Sequence, residues 1–469
     1  MITFDSLTLK KWTEENKNFL NGGRIQKIQQ PTRRDFVFLI RNNGETRKLY
    51  ININPQYYHV CFMSKENETK RLIEIPKKPP MFCMLLRKYL ENAIISKICQ
   101  PTYERILELY IETYNELSEK IYLCLAIELM GKHSNVILYN YDTNIILGCA
   151  HNVGSDKSRE RELAGTLPYI YPPNPPKEWY ISDDTLSEYK GNINDKIDEI
   201  FAQIIYDEKF KATKENYKQI INRRLKKDKN SLNKMEYKLE KEYDFDKYRL
   251  LGDLIMVNLY NNKDYSKFIK VFDYENNNEI KIDLNETKTL KENANAFYKL
   301  YNKGKHSLEK LTELTSELKE KINYNEHILY SIEISKTIED LSELKFEIDP
   351  EKQTKPDKKA IIPEEIEIDG YKIFIGKNNR QNDYIVSKLS KDEDYWFHTK
   401  DCAGSHVLLR CENPSDKLIF ECAKLAKQFS QGKDSSKVGV IYTKRKNLKK
   451  PPKANLGYVI YKGEREVIV

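Results

Sequence analysis

The sequence predicts an α+β multidomain chain: an N-terminal α/β domain, a long antiparallel coiled-coil hairpin with a small middle element, and a C-terminal α/β domain. Three observations predict it. The 469 residues suffice for roughly three domains at ~150 residues each. The apolar pattern shifts along the chain from strand-like alternation to steps of four and three, then back again. Breaks rich in proline or lysine, at 169–177 and 349–365, accompany those shifts.

Residues 1–178 form the first domain. RDFVFLIR (34–41) and YERILELYI (103–111) carry the β-branched and aromatic residues of strands. PPMFCMLLRKYL (79–90) opens on prolines and continues as an apolar helix. YIYPPNPPK (169–177) stops the pattern.

Residues 179–348 form the arm. From about 196 the chain is rich in Lys, Glu, Asn and Tyr, and Ile221, Leu225, Leu232, Met235 and Leu239 recur with Asp228 in one seam position. Leu311, Leu314, Leu318, Ile322, Asn325, Leu329 and Ile332 supply the second helix. Arms of ~45 residues would reach roughly 70 Å. The middle element, about 250–295, contains the strand-like FIKVFDYENNNEIKIDL (268–284). A linker, 349–365, leads to the C-terminal domain, 366–469. There SDKLIFECAKLAKQF (415–429) reads as a helix started by Ser415 and ended by Gly432, and VGVIYT, GYVIY and EVIV read as strands.

Composition excludes several classes. The net charge of +8 permits a nucleic-acid partner without requiring one. Eight scattered cysteines without a C-x-x-C pair read as reduced thiols of a cytoplasmic protein. No signal-peptide pattern opens the chain, and IYLCLAIELM (121–130), with Glu128 inside it, is too short to cross a bilayer.

DYWFHTKDCAGSH (394–406) concentrates the chemistry. On a strand, Asp394, Trp396, His398 and Lys400 share one face and Tyr395, Phe397 and Thr399 the other. The first set is expected on an accessible surface and the second in the core. Zinc would need His398, Cys402 and His406 plus a fourth ligand, and none is evident. Ser405 lacks a nucleophile elbow. A buried packing role for Trp396 and the histidines competes with RNA binding, where aromatic faces stack on bases and cations meet phosphate. TKRKNLKKPPK (443–453), with Lys444, Arg445, Lys446, Lys449, Lys450 and Lys453 and no acid, extends the RNA reading as a phosphate track.

GKNNRQNDY (376–384) and WFHTKDCAGSHVLLR (396–410) resemble the NFACT-R domain of the NEMF and RqcH family, also known as FbpA-like. GGRIQKIQQP (22–31), FCMLLRKYL (82–90) and ELMGKHSNVILYN (128–140) resemble its glycosylase-like NFACT-N domain. The resemblance implies a cytoplasmic, monomeric ribosome-associated quality control factor. It would bind obstructed large ribosomal subunits holding peptidyl-tRNA and recruit tRNA, alanine tRNA by family analogy, for template-free C-terminal tailing. No cofactor, metal, membrane or catalysis of its own is implied. The tRNA-contacting pair would be Glu104 and Arg105, where the family carries Asp-Arg. The NFACT-R contacts would come from Asp394, Trp396, His398, Lys400, Asp401, Gly404, Ser405, His406 and the six cations of 443–453. Cys402-Ala403 replaces an apolar-Pro dipeptide, and the stretch after Lys177 leaves no room for the usual helix-hairpin-helix module. The alternatives are a fibronectin-binding surface adhesin and an RNA-binding factor without tailing activity. A glycosylase activity lacks its N-terminal proline, since the chain begins Met1-Ile2-Thr3.

Overall fold

The computed structural model describes residues 4–469 except 102–103, 116, 156–159, 174–185, 242–244, 274–276, 350–360, 401 and 453. The expected break near 178, most of the linker, Asp401 and Lys453 lie outside the described residues. The chain divides into two units, Met1–Lys211 and Ala212–Val469.

In the first unit, α1 (Ser6–Leu20) is capped by the Asp5 carboxylate, which accepts from Thr8 N at 2.8 Å. Strands β1 (Arg24–Thr32), β2 (Asp35–Asn42), β3 (Glu45–Asn52) and β4 (His59–Phe62) follow, then the short helix α2 (Lys65–Lys70). Helix α3 (Met81–Leu90) precedes β5 (Ile94–Cys99), β6 (Ile106–Tyr114), β7 (Lys120–Glu128), β8 (Asn135–Asn140) and β9 (Ile146–Cys149). Among the described residues these strands make one antiparallel sheet in the order β4-β3-β2-β1-β5-β6-β7-β8-β9.

The sheet is built from two copies of one pattern, helix then four antiparallel strands, meeting at β1 and β5, with β9 added beside β8. The sequence carries the repeat: LNGGRIQKIQQP (20–31) and LENAIISKICQP (90–101) match at an offset of seventy residues. Details obey the same offset. Gly22 and Asn92 both have positive φ. A bulge interrupts β1 between Ile25 and Lys27 and β5 between Ile95 and Lys97. Gly23 is needed where the copies meet, because a Cβ there would lie 2.8 Å from Ile40 Cγ2.

Beyond the break, α4 (Ile193–Lys241) begins inside this unit's core, where Ile193, Ile197 and Phe201 are buried with the sheet. Asp198 of that first stretch pairs with Arg71, both side chains almost wholly buried, and also accepts from Asn67 Nδ2 at 2.8 Å and Ser64 N at 3.0 Å. The unit therefore includes the start of the long helix, well past residue 178.

In the second unit, the rest of α4 runs antiparallel to α6 (Leu290–Ile334), with Lys229–Glu326 at 2.6 Å and Glu236–Lys319 at 2.8 Å. Between them α5 (Asp246–Val257), β10 (Phe268–Asp273) and β11 (Asn278–Asp283) form the middle element around Leu254, Ile255, Ile269, Val271 and Ile282. The expected seam holds with one correction. Leu314 is 39% exposed, whereas Thr315 is buried. Thr315 lies four residues after Leu311 and three before Leu318, so the heptad geometry turns it inward and Leu314 out. Asp228 does occupy the seam and accepts from Lys321 Nζ at 3.1 Å.

Helix α7 (Ile338–Ile348) then leads into the C-terminal domain. Its elements are β12 (Glu364–Ile368), β13 (Tyr371–Ile375), α8 (Asn379–Tyr384), β14 (Tyr395–Thr399), β15 (Val407–Leu409), α9 (Asp416–Gln428), β16 (Gly439–Lys444), β17 (Leu448–Lys449), β18 (Ile460–Tyr461) and β19 (Arg465–Ile468). The main sheet runs β12-β13-β15-β14-β16-β19. Ser415 caps α9 as expected, accepting from Leu418 N at 3.3 Å, but the helix ends at Gln428 with Phe429 as its C-cap, short of Gly432. Of GYVIY only Ile460–Tyr461 is strand.

Candidate nucleic-acid interface

Two places carry the expected chemistry, one in each unit. In the first, loops at the sheet edge enclose a cleft of about 1250 Å³. The β1–β2 turn contributes Arg33 and Arg34, the turn after β7 contributes Lys132 and His133, and Arg105 stands just before β6. Arg33, Arg34, Lys132 and His133 are exposed. Deeper in the wall Arg161 is neutralised by buried Glu128, donating from Nη1 at 2.9 Å, with Tyr169 also donating to that carboxylate at 3.0 Å. The exposed cations suit an anionic polymer. Burial and the neighbouring Arg33 and Arg34 charges hold the His151 imidazole below its usual range, so it lines the cleft uncharged.

Glu104 and Arg105 part company. Arg105 faces the cleft, donating to Tyr58 Oη at 2.7 Å. Glu104 is 8% exposed and does not line the cleft. Burial pushes its carboxyl up, against the pull of the Arg105 charge. No motif in the sequence marks Arg33, Arg34, Lys132, His133 or Arg161 for this role. An arginine pair and a Gly-Lys-His triplet in turns between strands were the available signals.

The second place is the C-terminal domain, where one expectation fails. Trp396 is 1% exposed. Both faces of the sheet are covered. On one, Phe397, Val407 and Val440 pack against Leu418, Cys422 and Ala426 of α9. On the other, Trp396 packs with Phe374, Ile385, Val386, Leu408, Ile441 and Leu448. Strand alternation separates the two sets as expected, but it cannot reveal that α8 and the residues after it close the second face. Asp394, Ser405 and His406 are buried with Trp396, so the expected accessible strip is absent. Asp394 accepts from Lys391 N at 2.9 Å. Ser405 N donates to Phe429 O at 2.8 Å, and Gly404 is needed because a Cβ would lie 2.8 Å from Ser430 Cβ.

The rings nevertheless form a cluster. Trp396 and His398 lie parallel at 5.7 Å, His406 stands perpendicular at 5.1 Å from Trp396, and His327 of α6 lies 5.8 Å from His398. They border a cavity of about 530 Å³ between α6 and the sheet. Burial lowers the His327 pKa to about 4 and that of His398 to about 3, with the neighbouring His327 imidazole adding to the His398 shift, so both stay neutral. Among the described residues no three His, Cys, Asp or Glu side chains are grouped to hold a metal.

The amide-rich GKNNRQNDY stretch joins parts of this unit. Asn378 Nδ2 and Gln381 Nε2 donate to Glu343 at 2.7 and 2.9 Å, and Asn379 Nδ2 donates to Glu347 at 2.8 Å. The Asn382 side-chain oxygen accepts from His406 N at 3.0 Å, and Gly376 is needed because a Cβ would lie 2.2 Å from that oxygen.

The basic run is partly neutralised. Lys444 and Lys446 both pair with Glu393, whose carboxyl they hold at about 2, and Lys450 pairs with Asp383. Arg445 Nε donates to Val386 O at 2.7 Å and Ser390 Oγ at 3.0 Å, and its Nη1 to Leu448 O at 3.2 Å. Arg445 is therefore a structural cation. Lys449 is exposed, and Lys400 is exposed but paired with Glu466 at 3.0 Å.

Family profiles match residues in both units. The profile for NFACT N-terminal and middle domains matches residues 5–190 and 176–361, and that for the NFACT protein RNA binding domain matches 364–464. The chain is 29% identical to the protein named Rqc2 homolog RqcH of Bacillus subtilis (strain 168) over 565 residues, covering all of this chain and 98% of that relative. It is 28% identical to the protein of the same name from Streptococcus pneumoniae serotype 2 over 546 residues, covering 100% and 98%. Among solved structures, the C-terminal part of the fibronectin/fibrinogen-binding protein from Streptococcus suis is 26% identical, with a TM-score of 0.45 over 56% of this chain and 95% of that one.

Proposed function

Because this chain belongs to the NFACT family of NEMF and RqcH proteins, we propose that it is a ribosome-associated quality control factor of the cytoplasm. It binds obstructed large ribosomal subunits that retain peptidyl-tRNA and recruits a tRNA for template-free extension of the nascent chain. The observation that carries the tRNA reading is the cationic cleft of the first unit, with Arg105 in its wall.

Arg105 offers a planar fork to a phosphate or base edge, and its bond to Tyr58 fixes the direction of that fork. Arg33, Arg34 and Lys132 add sequence-independent attraction to the RNA backbone. Glu104, being buried, acts beneath Arg105 as a positioning residue. The chain contributes binding and orientation, and the ribosome makes the peptide bond.

The alignment to the Bacillus subtilis relative spans 565 positions against 469 residues here, so that relative carries segments this chain lacks. This supports the reading that the helix-hairpin-helix module is missing. The deciding experiment is sequencing of RNA recovered with the purified protein. An enriched tRNA together with large-subunit rRNA supports the proposal; bulk RNA in cellular proportions overturns it.

A further inference from the structure

Of the buried polar atoms in the second unit that have no hydrogen-bond partner among the described residues, three belong to side chains lining one cavity: Trp396 Nε1, His398 Nε2 and His406 Nδ1. Trp396 is 1% and His406 3% exposed. Buried polar groups are ordinarily satisfied, and leaving them unmade is costly. Three on one wall mark a surface completed by something else.

We propose that this cavity receives a single unpaired nucleobase of bound RNA. The proposal deepens the functional reading above and rests on it. At about 530 Å³ the cavity falls within the usual size of small-molecule sites. Aromatic rings line it among polar side chains: Trp396, His398 and His406 from the sheet side, Tyr461 beside them, and Tyr324 and His327 from α6. Such walls suit stacking on a planar heterocycle. The imidazoles stay uncharged, which favours a neutral ring over a phosphate.

The hydrogen-bonding pattern narrows the choice. The indole N–H can only donate, whereas a neutral imidazole offers one donor and one acceptor. An unpartnered nitrogen of a neutral imidazole can serve as an acceptor, so His398 Nε2 and His406 Nδ1 can supply two acceptors beside the indole donor. One donor and two acceptors complement a base edge that carries an amino group beside a ring acceptor, as in adenine, and match uracil poorly. Because His327 comes from the arm, an inserted base would touch arm and sheet together.

The test uses the full-length protein and a short oligoadenylate, measured by fluorescence anisotropy. One arm replaces the central nucleotide with an abasic residue, a second uses oligouridylate, and a third offers adenosine monophosphate as competitor. The intact oligoadenylate should bind about ten-fold more tightly than the abasic one. Trp396→Phe and His398→Phe each remove an unpartnered nitrogen, so they should narrow that gap while circular dichroism shows the domain still folded. Equal affinity of intact and abasic strands overturns the proposal, as does equal preference for oligouridylate. Displacement by the monophosphate near its own dissociation constant would assign the cavity to free nucleotide and overturn RNA as the source. Large-subunit co-sedimentation of the unmodified protein is scored separately. Its absence would overturn the quality-control reading while leaving a measured base preference intact.

Discussion

The Arg105 guanidinium donates to the Tyr58 hydroxyl at 2.7 Å and lies 5.6 Å from the centre of the Tyr58 ring. The charge is thus aimed into the first-unit cleft before any partner arrives. Arg105→Ala should abolish tRNA recovery with little change in thermal stability or large-subunit binding. Arg105→Lys should restore little, because an ammonium lacks the planar fork. Tyr58→Phe should weaken recovery only a few-fold. Wild-type tRNA recovery by Arg105→Ala would show that the cleft does not hold tRNA.

Glu393 masks Lys444 and Lys446. Glu393→Gln should release both, tightening RNA binding at low salt and steepening its log–log salt dependence by ~0.7 to 0.9 per released cation. Lys449→Ala should flatten the same plot by about one contact. An unchanged slope in Glu393→Gln means these lysines do not meet phosphate.

Trp396 is packed on the covered face of the C-terminal sheet. Trp396→Ala should therefore cost ~3–5 kcal/mol of domain stability, as large aromatic deletions in cores do. Chemical denaturation monitored by circular dichroism measures this. A loss below ~1 kcal/mol would place the indole outside the core.

His327 and His398 titrate near 4 and 3 in the fold because burial disfavours their charged forms. The unfolded chain takes up these protons near the ordinary value of ~6.5. Their contribution to stability is therefore complete above about pH 6.5, is lost progressively as the pH falls below that value, and is gone once the pH has passed the folded values of about 4 and 3. Near pH 5 the penalty should be on the order of 2 kcal/mol per histidine. Melting temperature against pH should fall across this window and flatten in His398→Phe; a flat wild-type profile from pH 7 to 4.5 contradicts it.

Asp228 lies buried in the coiled-coil seam, held by Lys321. Lys321→Met should destabilise the arm by leaving the carboxylate alone, whereas Asp228→Leu should raise its stability by about 1 kcal/mol or more. A lower melting temperature for Asp228→Leu would give the ion pair a net stabilising role.

The architecture was legible in the sequence because it rests on local periodicity. Ile221 through Leu239 fall in the seam as their spacing dictates, and Phe397 faces the core that alternation assigns it. The family motifs were legible for the same reason, being contiguous. A repeat between 20–31 and 90–101 was also present to be read, and it accounts for the symmetric centre of the first sheet. Tertiary structure alone decided which polar residues face a partner. Alternation groups Trp396 with His398 but cannot say whether a helix covers that face, and residues from α8 onward do cover it. Charge in the sequence counts Lys444, Lys446 and Arg445 as available, yet Glu393, fifty residues upstream, and backbone carbonyls take them. Arg33, Lys132 and Arg105 are far apart in sequence and become one cleft only when the sheet brings their turns together. Periodicity records which way a side chain points along its own element. What it points at depends on residues distant in the chain, and only folding brings those into contact.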